Sequence, residues 1–132
     1  MDCFEINMTR EQLMGVSSLA LAHVGDAVYE LLVRAALCSR GIPRADTLHR
    51  MTVSHVAAPA QAEAAGRLLP MLTDEEKQIY KRGRNTHVQS VPRGASAAEY
   101  HAATGLEALF GWLYMNGQRE RLDSLFRVAF GG

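Results

Sequence analysis

Apolar residues recur at helical spacing along almost the whole chain, and strand-like alternation is scarce. No Asn-Gly or Asp-Gly turn lies between two strand-like runs. The pattern predicts an all-α fold of about six or seven helices. Thr9 is placed to cap a short first helix. Ser17 or Ser18 caps a second that runs to about Arg40 and stops at Gly41-Ile42-Pro43. Asp46 or Thr47 opens a third, carrying Leu48, Met51 and Val56. Pro59 suits the first turn of a fourth, which continues to Leu69. Thr73-Asp-Glu-Glu76 is a capping box, and its helix should end near Arg82 or Gly83. Residues 84–95 have little periodicity and read as a loop long enough to suspect function. Ser96-Ala-Ala-Glu99 is a second capping box, opening a long helix to Asn116-Gly117. Gln118 to Phe130 forms a last amphipathic helix with Leu122, Leu125, Phe126 and Val128 as its apolar contacts.

Two of these helices break the rules of helix composition in the same way. Residues 19–30, Leu-Ala-Leu-Ala-His-Val-Gly-Asp-Ala-Val-Tyr-Glu, put a Gly-Asp pair inside an apolar run. Residues 104–114, Thr-Gly-Leu-Glu-Ala-Leu-Phe-Gly-Trp-Leu-Tyr, again combine one carboxylate with glycine. Glycine inside a helix costs about 1 kcal/mol relative to alanine, and an unpaired acid on an apolar face is expensive to bury. If the two helices pack antiparallel, Gly25 and Gly111 let the backbones approach and Asp26 converges on Glu107. Such oxygen ligands suit Mg²⁺, which takes one or two protein carboxylates and keeps several waters. The plainer alternative has Asp26 and Glu107 bonded to backbone or to tyrosines at the core edge. Glu30 lies four residues after Asp26 and can share its face, or can simply pair with Arg34.

Composition narrows the field. The chain has 132 residues, 48% of them apolar, which suits one domain (1–132) with a real core. No stretch approaches a membrane span, and the N-terminus lacks the features of a secretory signal. Cys3 and Cys38 have no metal-like spacing and read as reduced thiols, so a cytoplasmic location is expected. Fourteen basic and fourteen acidic residues balance to zero, without the overall basic footprint of a nucleic-acid binder. The distribution is less even. Between Glu76 and Glu99 there is no acid, while Lys77, Lys81, Arg82, Arg84, His87 and Arg93 fall in that window. It is either a solvated basic loop or an element that contacts phosphates. The five histidines form no HExxH or comparable pair and read as surface or core residues. The Tyr29, Trp112 and Tyr114 stripe reads as core or interface rather than a base-stacking platform.

Taken together, these residues resemble a known family. Leu21-Ala-His-Val-Gly-Asp-Ala-Val-Tyr-Glu30 is similar to the signature helix of the ribonuclease III catalytic domain, and Thr104–Tyr114 to its second catalytic helix. Lys81-Arg-Gly-Arg-Asn85 and the basic loop resemble the Mini-III subfamily, bare catalytic domains without a double-stranded-RNA-binding module. The resemblance spans about residues 12–127 and keeps motif order, spacing and length. It implies a homodimeric, Mg²⁺-dependent endoribonuclease (Mn²⁺ substituting) that cleaves double-stranded RNA to 5′-phosphate and 3′-hydroxyl ends. It further implies maturation of the large-subunit (23S) ribosomal RNA precursor, and leaves room for a ribosomal protein partner. Asp26 and Glu107 fall on the metal-ligand positions and would carry catalysis. Glu30 and Thr104 are candidates to stand behind them. Lys81, Arg82, Arg84, Asn85, His87 and Arg93 are candidates to contact RNA. Val28, Trp112 and Leu113 are candidates for a dimer interface.

The chain also departs from ordinary ribonuclease III. Leu19, Ala22 and Thr104 stand where the larger enzymes have carboxylates, and Mini-III shows similar departures. Ala60 stands before Gln61 where a lysine is expected. The missing acids motivate one rival, a noncatalytic ribonuclease III-like domain that binds RNA or a ribosomal partner. A second rival is an all-α nucleotide pyrophosphohydrolase, but such enzymes present several clustered acidic pairs on adjacent helices.

Overall fold

The computed structural model describes residues 3–86 and 94–131. Among them are seven α-helices and no strand: α1 (Arg10–Met14), α2 (Ser18–Ser39), α3 (Ala45–Val56), α4 (Ala58–Leu68), α5 (Asp74–Arg84), α6 (Ala97–Met115) and α7 (Arg119–Phe130). A 3-10 turn, Leu69–Met71, links α4 to α5.

Local signals set most boundaries. Thr9, Thr73 and Ser96 each form a complete capping box, satisfying N–H groups that a helix start otherwise leaves unpaired. The Ser17 hydroxyl accepts from the amide of Ala20 and starts α2. Two expectations are corrected. Neither Asp46 nor Thr47 caps α3: the N-cap is Arg44, without a side-chain bond. Asp46 lies in the first turn, where its carboxylate accepts from the Thr47 amide and the Arg44 guanidinium. Helix α5 continues past Gly83 to Arg84, because that glycine is a buried packing contact rather than a stop.

Helix α6 is the centre of the molecule, packed by α2, α4, α5 and α7. This explains why it is apolar on nearly every side, since a helix surrounded by others has no face to give to water. Its Leu106, Leu109, Phe110 and Leu113 are fully buried with Val33 and Leu37 of α2 and Leu125 of α7. Tyr29 meets Phe110 and Phe126 edge-on, so this tyrosine is core. Trp112 and Leu113, 6% and 0% exposed, also belong to the monomer's own core and cannot lead a dimer interface; Val28 is partly buried against it.

One long-range ion pair ties α5 to α7. Glu76, 3% exposed, accepts from Arg121 Nε at 2.8 Å and Nη2 at 2.7 Å, while also closing the cap at Thr73. The Arg121 hydrogen bonds hold the Glu76 carboxyl below the usual carboxylate range, against the opposing effect of burial. Arg121→Ala strands this charge, and losing one partner of a buried pair typically costs about 3–5 kcal/mol. Urea melts at pH 7 should show a loss near the lower figure, because Arg121 is partly solvated. The sign with pH follows from the depressed pKa. The pair contributes fully above pH 4.5, the ordinary value, and the contribution fades as pH falls below it through the folded value. Acid should therefore narrow the gap between wild type and Arg121→Ala.

Candidate active site

Helices α2 and α6 cross antiparallel with their backbones in contact. A Cβ placed on Gly25 would lie 1.6 Å from the carbonyl oxygen of Glu107. One placed on Gly111 would lie 1.9 Å from the carbonyl oxygen of Leu21. Glycine is required at both positions, since any side chain would occupy the other helix's main chain. Asp26 follows Gly25 directly, and Glu107 lies one turn before Gly111. The crossing therefore brings the two carboxyl groups within hydrogen-bonding reach.

Glu107 is half-buried and Asp26 exposed. The Glu107 carboxyl is pushed up to about 8, chiefly by burial and then by the negative charge and hydrogen bond of Asp26. A neighbouring carboxamide, Gln61 of α4, pulls it back down. Two close carboxylates in a partly dry setting lack positive charge. The donor set is oxygen only, and among the described residues no three His, Cys, Asp or Glu side chains are grouped so as to hold a metal ion. That composition fits a hard cation that retains much of its water, as Mg²⁺ does, and does not make a closed protein cage.

The other predicted residues are distributed as follows. Arg34 Nη2 donates to Glu30 Oε2 at 2.6 Å, so the plainer reading of Glu30 has a partner on its own helix. Thr104 is buried and its hydroxyl donates to the Tyr100 carbonyl at 3.0 Å. Lys81 and Arg82 on the last turn of α5 and Asn85 at its C-cap are exposed, and they line one shallow depression with Ser18, Gln78 and Thr86. Arg84 differs from them: it is half-buried, donates to Asn85 Oδ1 at 3.2 Å and lies over the Tyr80 ring. His87 and Arg93 lie outside the described residues.

Two features escaped the sequence. One is a second glycine crossing: Gly83 packs against Gly105 and Ala108, and Gly105 against the Tyr80 ring, seating α5 on α6. The other is Gln61, 2% exposed on a face otherwise made of Ala64, Ala65 and Leu68. A lone amide in an apolar helical stripe was the available signal for it.

The Ribonuclease III domain family matches residues 19–118, a span that contains both carboxylates and both close glycine crossings. The chain belongs to the ribonuclease III family. This is a family of endoribonucleases, and many of its Mini-ribonuclease 3 members are similar to this chain over most of its length. Mini-ribonuclease 3 of Symbiobacterium thermophilum is 46% identical, with 84% of this chain and 85% of that protein covered. Mini-ribonuclease 3 of Enterococcus faecalis is 44% identical, covering 83% and 85%. A crystal structure of a Fusobacterium nucleatum protein superposes with a TM-score of 0.81 at 30% identity, covering 88% of this chain and 93% of that one. No helix among the described residues is long and apolar enough to cross a membrane.

Proposed function

We propose that this ribonuclease III family member cleaves double-stranded RNA with Mg²⁺ held by Asp26 and Glu107, Mn²⁺ substituting. The observation that carries the reading is the carboxylate pair at the Gly25–Gly111 crossing, where Glu107 is partly buried beside Asp26 at a cost that packing alone would not select. When bound, Mg²⁺ supplies Lewis-acid charge at a phosphoryl oxygen. The protein's part is geometric. Asp26 presents an exposed carboxylate and Glu107 a half-buried one, both on rigid helices, so their spacing does not depend on a loop. In the reaction, water oxygen bonds to phosphorus and the P–O3′ bond breaks. The 3′ oxygen takes a proton, leaving 5′-phosphate and 3′-hydroxyl ends.

A-form RNA is recognised by shape, phosphates and 2′-hydroxyls rather than by base edges. Lys81, Arg82 and Asn85 offer a small polar and cationic surface for such contacts on α5, which packs on the helix that carries Glu107. Lys81→Ala and Arg82→Ala should each flatten the salt dependence of duplex binding by roughly 0.9 in log–log slope, regardless of sequence. Arg84→Ala should instead lower thermal stability with little change in slope, because its guanidinium is engaged with Asn85 and Tyr80. Fluorescence anisotropy over a salt series distinguishes the two behaviours.

The reading includes a homodimer, one site for each RNA strand. Leu31, 65% exposed, continues a face of α2 on which Ala20 and Ala27 are also exposed. Sedimentation equilibrium at micromolar concentration should give twice 14.5 kDa, and Leu31→Asp should shift the distribution toward monomer. The expected substrate is the 23S ribosomal RNA precursor in the cytoplasm, with a ribosomal protein as a further partner. The deciding experiment incubates a long RNA duplex with the protein, with and without Mg²⁺, and maps the product ends. Cleavage to the stated ends only with Mg²⁺ supports the reading. Duplex binding without cleavage would assign the chain to noncatalytic binding, and hydrolysis of nucleoside triphosphates would assign it to a different chemistry.

A further inference from the structure

Gln61 is unusual for its place. It is 2% exposed, it sits on the face of α4 that packs toward α6, and its neighbours on that face are Ala64, Ala65 and Leu68. Its amide nitrogen is buried without an aligned hydrogen-bond partner. Buried polar groups are nearly always satisfied, and an exception calls for an explanation. The polar group beside it is the Glu107 carboxyl.

We propose that Gln61 is a positioning residue for Glu107: its amide N–H takes one oxygen of that carboxylate and leaves the other for the cation shared with Asp26. The inference rests on the reading of Asp26 and Glu107 as the metal ligands. The terminal amide torsion is soft, so the N–H can turn toward that oxygen. A neutral donor is the right chemistry here. A lysine or arginine would neutralise Glu107 and compete with the cation, whereas another acid would add repulsion to a pair already short of positive charge. Carboxylates that bind metals are themselves commonly hydrogen-bonded, and losing that partner typically costs about 10–100-fold in metal affinity or activity.

Gln61→Met keeps the volume and removes the donor. Leu68→Met, on the same buried face, controls for repacking. Mn²⁺ is titrated calorimetrically into each full-length, metal-free protein, and turnover of an RNA duplex is followed from limiting to saturating Mg²⁺. Gln61→Met should weaken Mn²⁺ binding about 10–100-fold. Its kcat should fall at limiting Mg²⁺ and recover toward saturation, with KM for the duplex unchanged. Leu68→Met should match wild type in all of these. If Gln61→Met does not fold, Gln61→Asn carries the test, since it withdraws the amide by one methylene and should still weaken Mn²⁺ measurably. Wild-type Mn²⁺ affinity in a folded Gln61 variant, or an equal loss in Leu68→Met, overturns the positioning role alone. If wild-type protein binds no Mn²⁺ that Asp26→Asn or Glu107→Gln abolishes, the metal reading fails and the inference falls with it.

Discussion

Asp26→Asn and Glu107→Gln should each lower turnover of an RNA duplex by about a thousandfold while leaving the helical circular dichroism and duplex affinity near wild type. Each substitution is nearly isosteric and removes one of the two carboxylate ligands of the proposed metal site. Charge stabilisation by a bound metal is worth several kcal/mol, and each 1.36 kcal/mol is about tenfold in rate. A variant that retains near-normal turnover at limiting Mg²⁺ would remove that acid from the site. Stability should move in the opposite direction for Glu107→Gln. The Glu107 pKa is raised in the folded chain to about 8, from an ordinary 4.5. Its favourable contribution is therefore complete below pH 4.5 and is lost as pH rises through 8. Glutamine removes this loss, so the metal-free variant should be more stable than wild type at pH 7, by roughly 1–3 kcal/mol. Saturating Mg²⁺ should raise the Tm of wild type and leave that of the variant nearly unchanged, because only a state that binds the ion is stabilised by it. A site that costs stability when empty and regains it when loaded is the expected signature of a functional carboxylate pair.

Gly25→Ala should have the largest structural effect of any single methyl group added to this protein. The new carbon would lie 1.6 Å from the Glu107 carbonyl oxygen, 2.5 Å from its carbonyl carbon and 2.7 Å from the Gly111 nitrogen. All three are main-chain atoms, so no side chain can rotate away. The helices must separate, and the α2–α6 contact organises the whole core. Ordinary overpacking costs about 1–3 kcal/mol, and this substitution should exceed that in a domain whose total stability is about 5–15 kcal/mol. Activity should vanish with it, since the residue displaced is Glu107 itself. Gly66→Ala is the contrast. It lies exposed within α4 with nothing within 4 Å of a new Cβ. There the methyl group should stabilise by about 0.4–1 kcal/mol, through helix propensity and a less disordered unfolded chain. Urea denaturation of the two variants beside wild type should place them on opposite sides of it. Equal stability for Gly25→Ala would mean that the helices do not cross as described.

The sequence by itself determined what depends on neighbours three or four residues apart. The capping boxes at Thr73 and Ser96, the cap at Ser17 and the first-turn proline of α4 all lie where expected, because a cap is satisfied by its own helix. The approach of Gly25 and Gly111 was also legible, because two helices broke the same compositional rule and only a close crossing makes both breaks useful. Tertiary structure decided what depends on which faces meet. Gly83 carries the same local signal as a helix stop, and only the presence of Gly105 and Ala108 opposite makes it a contact inside α5. Trp112 and Leu113 could have faced a partner, but both are buried where α6 packs among α2, α4, α5 and α7. Arg121 and Glu76, 45 residues apart, find each other only through the packing of α7 beside α5. Gln61 carries only a weak local signal, an amide in an apolar stripe, and nothing local to α4 announces a carboxylate on another helix. Hydrogen bonds within a turn are written in the residues that make it, whereas contacts between helices depend on a crossing geometry that no single segment encodes.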